Sequence, residues 1–180
     1  MSKGLACLVL TLTALMAQDV PVGSDNVPFQ VSRCLKGFSG KYQVLKAMNP
    51  FYLRGDFDGD KKADYVALIE ELATNKQGLL FCFGDANRKP QVLGAGVNVQ
   101  IGDGEVVAYL LREEGASVDD STRKGVLVDD LTSDPDTGVW GVATGCGQRK
   151  HDCVYLGKSE AGGGWFIWDG RRFVWRQGGI

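Results

Sequence analysis

The feature that most limits how this chain can fold is an acidic, glycine-containing segment that leads directly into an apolar run. Residues 55–64 read GDFDGDKKAD, and YVALI follows at 65–69. Counted from Asp56, positions 1, 3, 5 and 9 are aspartates: Asp56, Asp58, Asp60 and Asp64. Side chains at this spacing converge only if the backbone coils tightly around something positive. The segment therefore predicts a cation-binding loop that enters a β-strand.

Calcium is the cation that such a loop suits best, because it takes roughly six to eight oxygen ligands in flexible geometry. Without an ion, each pair of these charges would repel by about 1 kcal/mol even in water. The expected ligands are carboxylate oxygens, one main-chain carbonyl and water, supplied by Asp56, Asp58, Asp60, Asp64 and the carbonyl of Lys62. The alternative is an acidic turn without an ion, since Asp and Gly are ordinary turn residues.

Residues 55–68 resemble the D-x-[DN]-x-D-G-x-x-D calcium loop of FG-GAP/VCBS-type repeats, found in the propeller blades of integrin α chains. The resemblance implies an ion held in a hairpin loop by the same five residues. The family usually has glycine after the third acidic residue, where the chain turns sharply, and this chain has Lys61. We therefore expect mild backbone strain at Lys61 and a modest affinity.

A weaker resemblance covers residues 51–84 and 153–178, which are similar to small, uncharacterised secreted proteins of bacteria that pair one such loop with a C-terminal aromatic hairpin. No activity follows from this resemblance. The sequence DPDTG at 134–138 lacks the later acidic ligands and indicates only a turn. Because a propeller needs several repeats of about 40 residues, the single loop predicts another β architecture.

The N-terminus has the pattern of a secretory signal peptide. Lys3 precedes an apolar stretch over 5–16, and the polar exit Ala17-Gln18-Asp19 follows. The apolar stretch is too short to span a bilayer. We predict cleavage after Ala17 and a secreted or periplasmic domain over 18–180; the alternative is a buried N-terminal helix.

The charge of the chain excludes some classes of partner. The formal net charge is −2, and lysine and arginine form no cluster. We therefore expect no nucleic-acid partner and, after signal cleavage, no membrane partner. An unidentified protein or glycan is the expected partner, and the sequence does not indicate an oligomeric state.

The predicted mature domain has an even number of cysteines, which is typical of a compartment where disulfides persist: Cys34, Cys82, Cys146 and Cys153. Three connectivities are possible. The segment CGQRKHDC favours a bridge between Cys146 and Cys153 at a hairpin tip, which would leave Cys34 to reach Cys82. The alternatives are a buried Cys82 thiol and a zinc site with His151, although the spacing matches no common zinc motif.

Short apolar and alternating segments, punctuated by 25 glycines, predict a mainly β single domain of antiparallel sheets with one short N-terminal helix near 29–36. Residues 112–124 are polar and predict a solvated loop within that domain. The candidate strands are 42–47, 51–55, 65–72, 78–83, 90–93, 106–111, 125–130, 139–143, 154–157, 165–168 and 172–176.

The C-terminus predicts a β-hairpin in which Asp169-Gly170 is the two-residue turn. Pairing Trp168 with Arg171 places four aromatic residues on one face: Phe166, Trp168, Phe173 and Trp175. We expect this face to belong to the core, since each buried aromatic removes about 150–250 Å² from water. The alternative is an exposed platform for a carbohydrate or a peptide.

These features predict an exported calcium-binding structural or interaction module. The alternative is an extracytoplasmic metal-dependent hydrolase that uses the acidic loop. No nucleophile signature surrounds any serine. His151 is the single histidine and is expected to lie in a surface loop, so the sequence predicts no catalytic residue.

Overall fold

The computed structural model describes residues 26–101, 126–131, 138–146, 150–158 and 162–178. Within them the fold is mainly β, as predicted. The elements in chain order are α1 Phe29–Lys36, β1 Tyr42–Val44, β2 Tyr52–Gly55, β3 Asp64–Glu71, β4 Gln77–Cys82, β5 Gln91–Gly94, β6 Val99–Ile101, β7 Val126–Val128, β8 Gly138–Cys146, β9 His151–Lys158, β10 Gly162–Trp168 and β11 Phe173–Gln177. The predicted signal peptide (1–17), strand 106–111 and loop 112–124 lie outside the described residues.

Two antiparallel sheets contain most of the strands. The first has the order β1-β3-β4-β5, and β2 also pairs with β3. The second has the order β11-β10-β9-β8, while β6 and β7 form a separate pair. The short β6, at 99–101, was not predicted from the sequence. The predicted helix is confirmed and contacts β3 and β4.

The apolar runs of β3 and β4 do not alternate with polar residues because both faces of these strands are covered. Val66 and Phe81 belong to the large core cluster, which also contains aromatic residues of the second sheet. Ile69 and Leu80 belong to a cluster with Cys34 of α1. A strand that is buried on both faces reads as a continuous hydrophobic run.

Aromatic packing joins the two sheets. The ring of Phe81 in β4 stacks on Phe173 of β11, with 3.8 Å between ring centroids, and meets Phe57 edge to face at 5.8 Å. Phe166, Trp168 and the other predicted aromatics of the C-terminal hairpin are also buried in this core. The predicted core face of the hairpin is therefore confirmed.

Both predicted disulfides are present. Cys34–Cys82 joins α1 to β4 with 6.1 Å between Cα atoms, and Cys146–Cys153 joins β8 to β9 with 5.9 Å. These separations are ordinary for disulfides. Two disulfides in one small chain are consistent with an oxidising, extracytoplasmic environment.

The predicted pairing of the C-terminal hairpin is wrong by two residues. Trp168 pairs with Phe173 rather than with Arg171. The carboxylate of Asp169 accepts hydrogen bonds from the backbone N–H groups of Arg171 (2.8 Å) and Arg172 (2.9 Å), which moves the turn one residue along the chain. A shift of two residues leaves every side chain on its predicted face.

His151 is buried, in contrast to the predicted surface position, because β9 begins at this residue. Its Nδ1 lies 2.8 Å from the carbonyl oxygen of Asp152, and its Nε2 lies 3.0 Å from that of Trp168. The imidazole therefore bridges the start of β9 and the end of β10.

Replacement of Phe81 by alanine should lower the free energy of unfolding by about 3–5 kcal/mol, because the cavity would lie where the two sheets pack together. Urea denaturation followed by tryptophan fluorescence measures the change. Leu72→Ala is the control, since Leu72 is 51% exposed and should change stability by less than about 0.5 kcal/mol. Equal effects of the two substitutions would contradict this role of Phe81.

Candidate metal centre

The acidic loop connects β2 to β3. Gly55, the last residue of β2, pairs with Asp64, the first residue of β3, so the two ends of the loop lie side by side. The loop is therefore part of a hairpin, the arrangement that the sequence resemblance implies. The β ladder holds Asp64 in place, whereas Asp56 and Asp58 depend on the loop for their positions.

Three of the four aspartates converge. Carboxylate oxygens of Asp56, Asp58 and Asp64 all lie within 4.8 Å of one another. Calcium binds oxygen at about 2.3–2.6 Å, so one ion can bridge oxygens at this separation. Asp58 and Asp64 are 1% and 0% exposed. The geometry suits a small cation, and the burial of Asp58 and Asp64 makes their negative charges costly.

Backbone N–H groups orient these carboxylates. The two oxygens of Asp64 accept hydrogen bonds from Phe57 (2.9 Å) and Gly84 (2.8 Å). Those of Asp56 accept from Gly59 (2.8 Å) and Lys61 (3.0 Å). A carboxylate oxygen has two lone pairs. Each of these oxygens therefore keeps one lone pair that can face an ion.

The structure does not bring Asp60 into the three-carboxylate cluster. One oxygen of Asp60 accepts a hydrogen bond from the backbone N–H of Lys62 at 2.8 Å, and the other lies 3.6 Å from the ammonium group of the same lysine. Lys62 Nζ also lies 3.7 Å from Asp85. These contacts involve the amide and ammonium groups of Lys62, so its carbonyl as a ligand stays a prediction.

The backbone turns at Lys61 as the comparison with glycine-containing loops led us to expect. Lys61 has φ +67° and Gly59 has φ +77°. A left-handed conformation costs a non-glycine residue about 1–2 kcal/mol. The hydrogen bond from the Lys61 N–H to Asp56 holds the chain in this conformation.

The cluster is short of positive charge. Burial raises the pKa of Asp64 to about 6, and the nearby charge of Asp58 adds to that shift. Burial also raises the pKa of Asp58, with smaller contributions from Asp60 and Asp56. Raised carboxyl pKa values mean that the anionic forms lack stabilisation. A cation at the cluster would supply it.

Arg88 provides part of the missing charge, and the sequence analysis did not find it. Its Nη1 lies 2.5 Å from Oδ2 of Asp58, a charge contact outside hydrogen-bond geometry. The guanidinium group also lies over the rings of Phe83 and Trp168, at 5.1 and 5.0 Å from their centroids. The only available signal was the need for a counter-charge, and it did not indicate which basic residue would come close.

Asp152 ties the acidic loop to the second sheet and was also missed. Its carboxylate accepts a hydrogen bond from the N–H of Asp56 at 2.8 Å, and its own N–H donates to the carbonyl of Asp56 at 2.9 Å. Gly55 permits this approach, because a Cβ there would lie 2.8 Å from Oδ2 of Asp152. The loop is thus fixed to β9 as well as to its own hairpin.

Comparison with known proteins found no matching family model, no matching curated protein and no matching solved structure. In the part of the chain that the structure describes, no helix is long and apolar enough to cross a bilayer. The assignment of the site therefore rests on its geometry and on the resemblance of the loop.

In the metal-free protein, Asp64 should make a pH-dependent contribution to the free energy of unfolding. Its pKa is about 6 in the folded state against 3.8 for the free side chain, so folding favours the protonated carboxyl. This stabilisation is fully present below pH 3.8 and is lost as the pH rises through about 6. The free energy of unfolding should fall by about 1–3 kcal/mol over this range. Urea denaturation in chelator from about pH 4 to pH 7.5 measures it.

Asp64→Asn is the reference for that measurement, because it removes the titration of Asp64 while the other carboxyl groups titrate in both proteins. We expect the stability difference between the wild type and Asp64→Asn to change across this pH range. Parallel pH profiles for the two proteins would contradict the raised pKa.

Substitution of Lys61 by glycine should raise the free energy of unfolding by up to about 1 kcal/mol. Relief of the left-handed backbone outweighs the larger entropy that glycine has in the unfolded chain. Lys62→Gly is the matched control and should be destabilising, because it brings that entropy cost without relief of strain. Urea denaturation in the presence of calcium tests both variants. If Lys61→Gly lowers the free energy of unfolding as much as Lys62→Gly does, the backbone at Lys61 is not strained.

Proposed function

We propose that this chain is an exported calcium-binding module with a structural or interaction role. The observation that carries the proposal is the convergence of Asp56, Asp58 and Asp64 within 4.8 Å, two of them buried. Buried carboxylates at this separation are stable together when a proton or a cation offsets their charge. At neutral pH, above the pKa of about 6 for Asp64, a cation stabilises the three carboxylates better than a proton does.

Oxygen ligands alone favour calcium or magnesium over softer metals. The resemblance of the loop to FG-GAP/VCBS-type calcium loops favours calcium. In the proposed site Asp56, Asp58 and Asp64 are the central ligands, and Asp60 and the carbonyl of Lys62 complete the shell with water. Arg88 would then share Asp58 with the ion.

The proposed ion acts mainly by fixing the loop. The loop joins β2 to β3, and Asp56 is bonded to Asp152 of β9. Neutralising the carboxylates would therefore stabilise the contact between the two sheets as well as the hairpin. Such an ion has a structural role.

Export supports the same assignment. The two disulfides suit an oxidising environment, and the signal-peptide pattern at 1–17 directs the chain there. Extracellular calcium modules work with dissociation constants of about 10⁻⁴–10⁻³ M. A loop with a strained residue at Lys61 fits that modest range.

The hydrolase alternative gains no specific support from the described residues. His151 is buried, with both ring nitrogens against carbonyl oxygens, so it does not face the acidic loop as a free base. Arg171 and Arg172 lie in the C-terminal hairpin turn, with their amides bonded to Asp169. We therefore propose no catalytic role.

Calcium should raise the melting temperature of the mature chain, and a chelator should reverse the rise. An ion that binds only the folded state adds about 2.7 kcal/mol at a hundred times its Kd. Asp58→Asn should weaken calcium binding by roughly tenfold or more, since it removes a buried anionic ligand. Asp85→Asn is the control, because Asp85 is close in space but outside the cluster. Isothermal titration and differential scanning calorimetry measure the two effects.

Titration with magnesium and zinc on the same samples distinguishes the ions. Calcium should bind more tightly than magnesium, and its apparent affinity should fall below about pH 6 because the ion competes with the proton on Asp64. An unchanged melting temperature with calcium, or equal loss of binding in Asp58→Asn and Asp85→Asn, would overturn the proposal.

A further inference from the structure

Arg88 brings a positive charge to the three-carboxylate cluster from the loop between β4 and β5. Gly84 of the same loop donates its N–H to Asp64 at 2.8 Å. A Cβ on Gly84 would lie 2.7 Å from the carbonyl oxygen of Ala63, so the two loops are in direct contact. The N–H of Arg88 donates to the carbonyl of Asp85 at 3.0 Å. Arg88 therefore belongs to a turn that is fixed beside the cluster.

Two aromatic rings hold the guanidinium group of Arg88 at this place. Its central carbon lies 5.1 Å from the ring centroid of Phe83 and 5.0 Å from that of Trp168, and both rings are buried. A planar guanidinium group can lie over an aromatic ring and still direct the N–H groups at its edge toward a carboxylate. The rings thus keep the charge of Arg88 beside Asp58.

The contact between Arg88 and Asp58 depends on charge more than on hydrogen bonding. Nη1 of Arg88 lies 2.5 Å from Oδ2 of Asp58, yet among the described residues neither atom has a hydrogen-bond partner of suitable geometry. The side chain of Asp58 is fully buried. Its other oxygen accepts a hydrogen bond from the N–H of Asp60 at 3.0 Å. Loss of Arg88 would therefore remove a charge without releasing the Asp58 carboxylate.

Arg88 matches the charge of the cluster to a divalent ion. The three converging carboxylates carry three negative charges when they are ionised, and Arg88 offsets one of them. The two charges that remain are those that one divalent cation neutralises. Asp60 adds a further negative charge, but the ammonium group of Lys62 lies 3.6 Å from it. Without Arg88 the same carboxylates would match a trivalent ion.

The guanidinium group must also repel any ion at the cluster, because both would contact Asp58. Coulomb repulsion is proportional to the charge of the ion, so it is half as large again for a trivalent ion as for a divalent one. Burial of Asp58 and of the two aromatic rings keeps water from screening this repulsion fully. Arg88 should therefore lower the affinity for calcium, and it should lower the affinity for a trivalent ion even more.

We propose that Arg88 sets the calcium affinity and the charge selectivity of the acidic loop, an inference that rests on the proposed calcium function. In the ion-free protein the guanidinium group offsets part of the negative charge and stabilises the loop. When calcium binds, the two cations share Asp58, and their repulsion keeps the affinity modest. By linkage, calcium weakens the stabilisation by Arg88 by the same factor by which Arg88 weakens the binding of calcium.

The test compares Arg88→Gln with the wild type in isothermal titrations of the mature chain with calcium chloride and with terbium chloride. Terbium is a trivalent ion close to calcium in size. Arg88→Gln should bind calcium roughly tenfold more tightly, a factor within the usual range of coupling between two ligands. Its affinity for terbium should then rise roughly thirtyfold, because the repulsion that is removed scales with the charge of the ion.

Two control variants separate the charge of Arg88 from its packing. Lys89→Gln makes the same charge change at the next residue, which is exposed, and should change either affinity by less than about threefold because water screens its charge. Arg88→Lys keeps the charge without the planar group, so its affinities should stay closer to those of the wild type than those of Arg88→Gln. Circular dichroism checks that all variants are folded.

Thermal unfolding gives a readout of opposite sign. In chelator, Arg88→Gln should melt at a lower temperature than the wild type, because the cluster loses its counter-charge. Saturating calcium should reduce this difference. In an Asp58→Asn background, Arg88→Gln should have a smaller effect in chelator, since the carboxylate that it faces is gone. A merely structural Arg88 would lower the melting temperature and the calcium affinity together.

The outcomes distinguish failure of this inference from failure of the proposed function. If the wild type binds calcium and Arg88→Gln binds it no more tightly, the calcium function stands and the role of Arg88 is overturned. Equal gains for calcium and terbium would also overturn it, because the effect would not depend on charge. Calcium binding by Arg88→Gln alone would show that Arg88 takes the place of the ion in the wild type. Absence of binding in every protein would overturn both proposals.

Discussion

The buried carboxylate of Asp64 is the interaction on which the rest of the candidate site depends. As the first residue of β3 it belongs to the central sheet, yet its two oxygens accept N–H groups from Phe57 in the loop and Gly84 after β4. Three parts of the chain thus converge on one anionic group. Its burial raises its pKa, so the same contact that shapes the loop also creates the demand for a positive charge.

The loop lies where the two sheets meet, and this position links the candidate ion to the stability of the whole fold. Asp56 is bonded in both directions to Asp152 of β9. Arg88 contacts Asp58 while its guanidinium group lies over Trp168 of β10. A change of charge within the loop therefore acts directly on residues of the second sheet. It does so through the hydrogen bonds between Asp56 and Asp152 and through the Arg88 guanidinium group that lies over Trp168.

The aromatic core links the acidic loop to the C-terminal hairpin. Phe81 connects the two regions, since its ring packs on Phe57 of the loop and on Phe173 of β11. The aromatic core thereby holds the loop and the hairpin in fixed positions relative to each other.

The sequence by itself determined the features that depend on local spacing. These are the mainly β class, the helix at 29–36, the core face of the C-terminal hairpin and the Cys146–Cys153 disulfide, because alternation and short cysteine spacing act within a few residues. The Cys34–Cys82 disulfide, whose cysteines are 48 residues apart, followed only as the pairing of the two that remained. Only the tertiary structure decided that Arg88 and Asp152 contact the loop and that His151 is buried. The reason is that such contacts join residues far apart in the chain, and their identity depends on how the sheets pack.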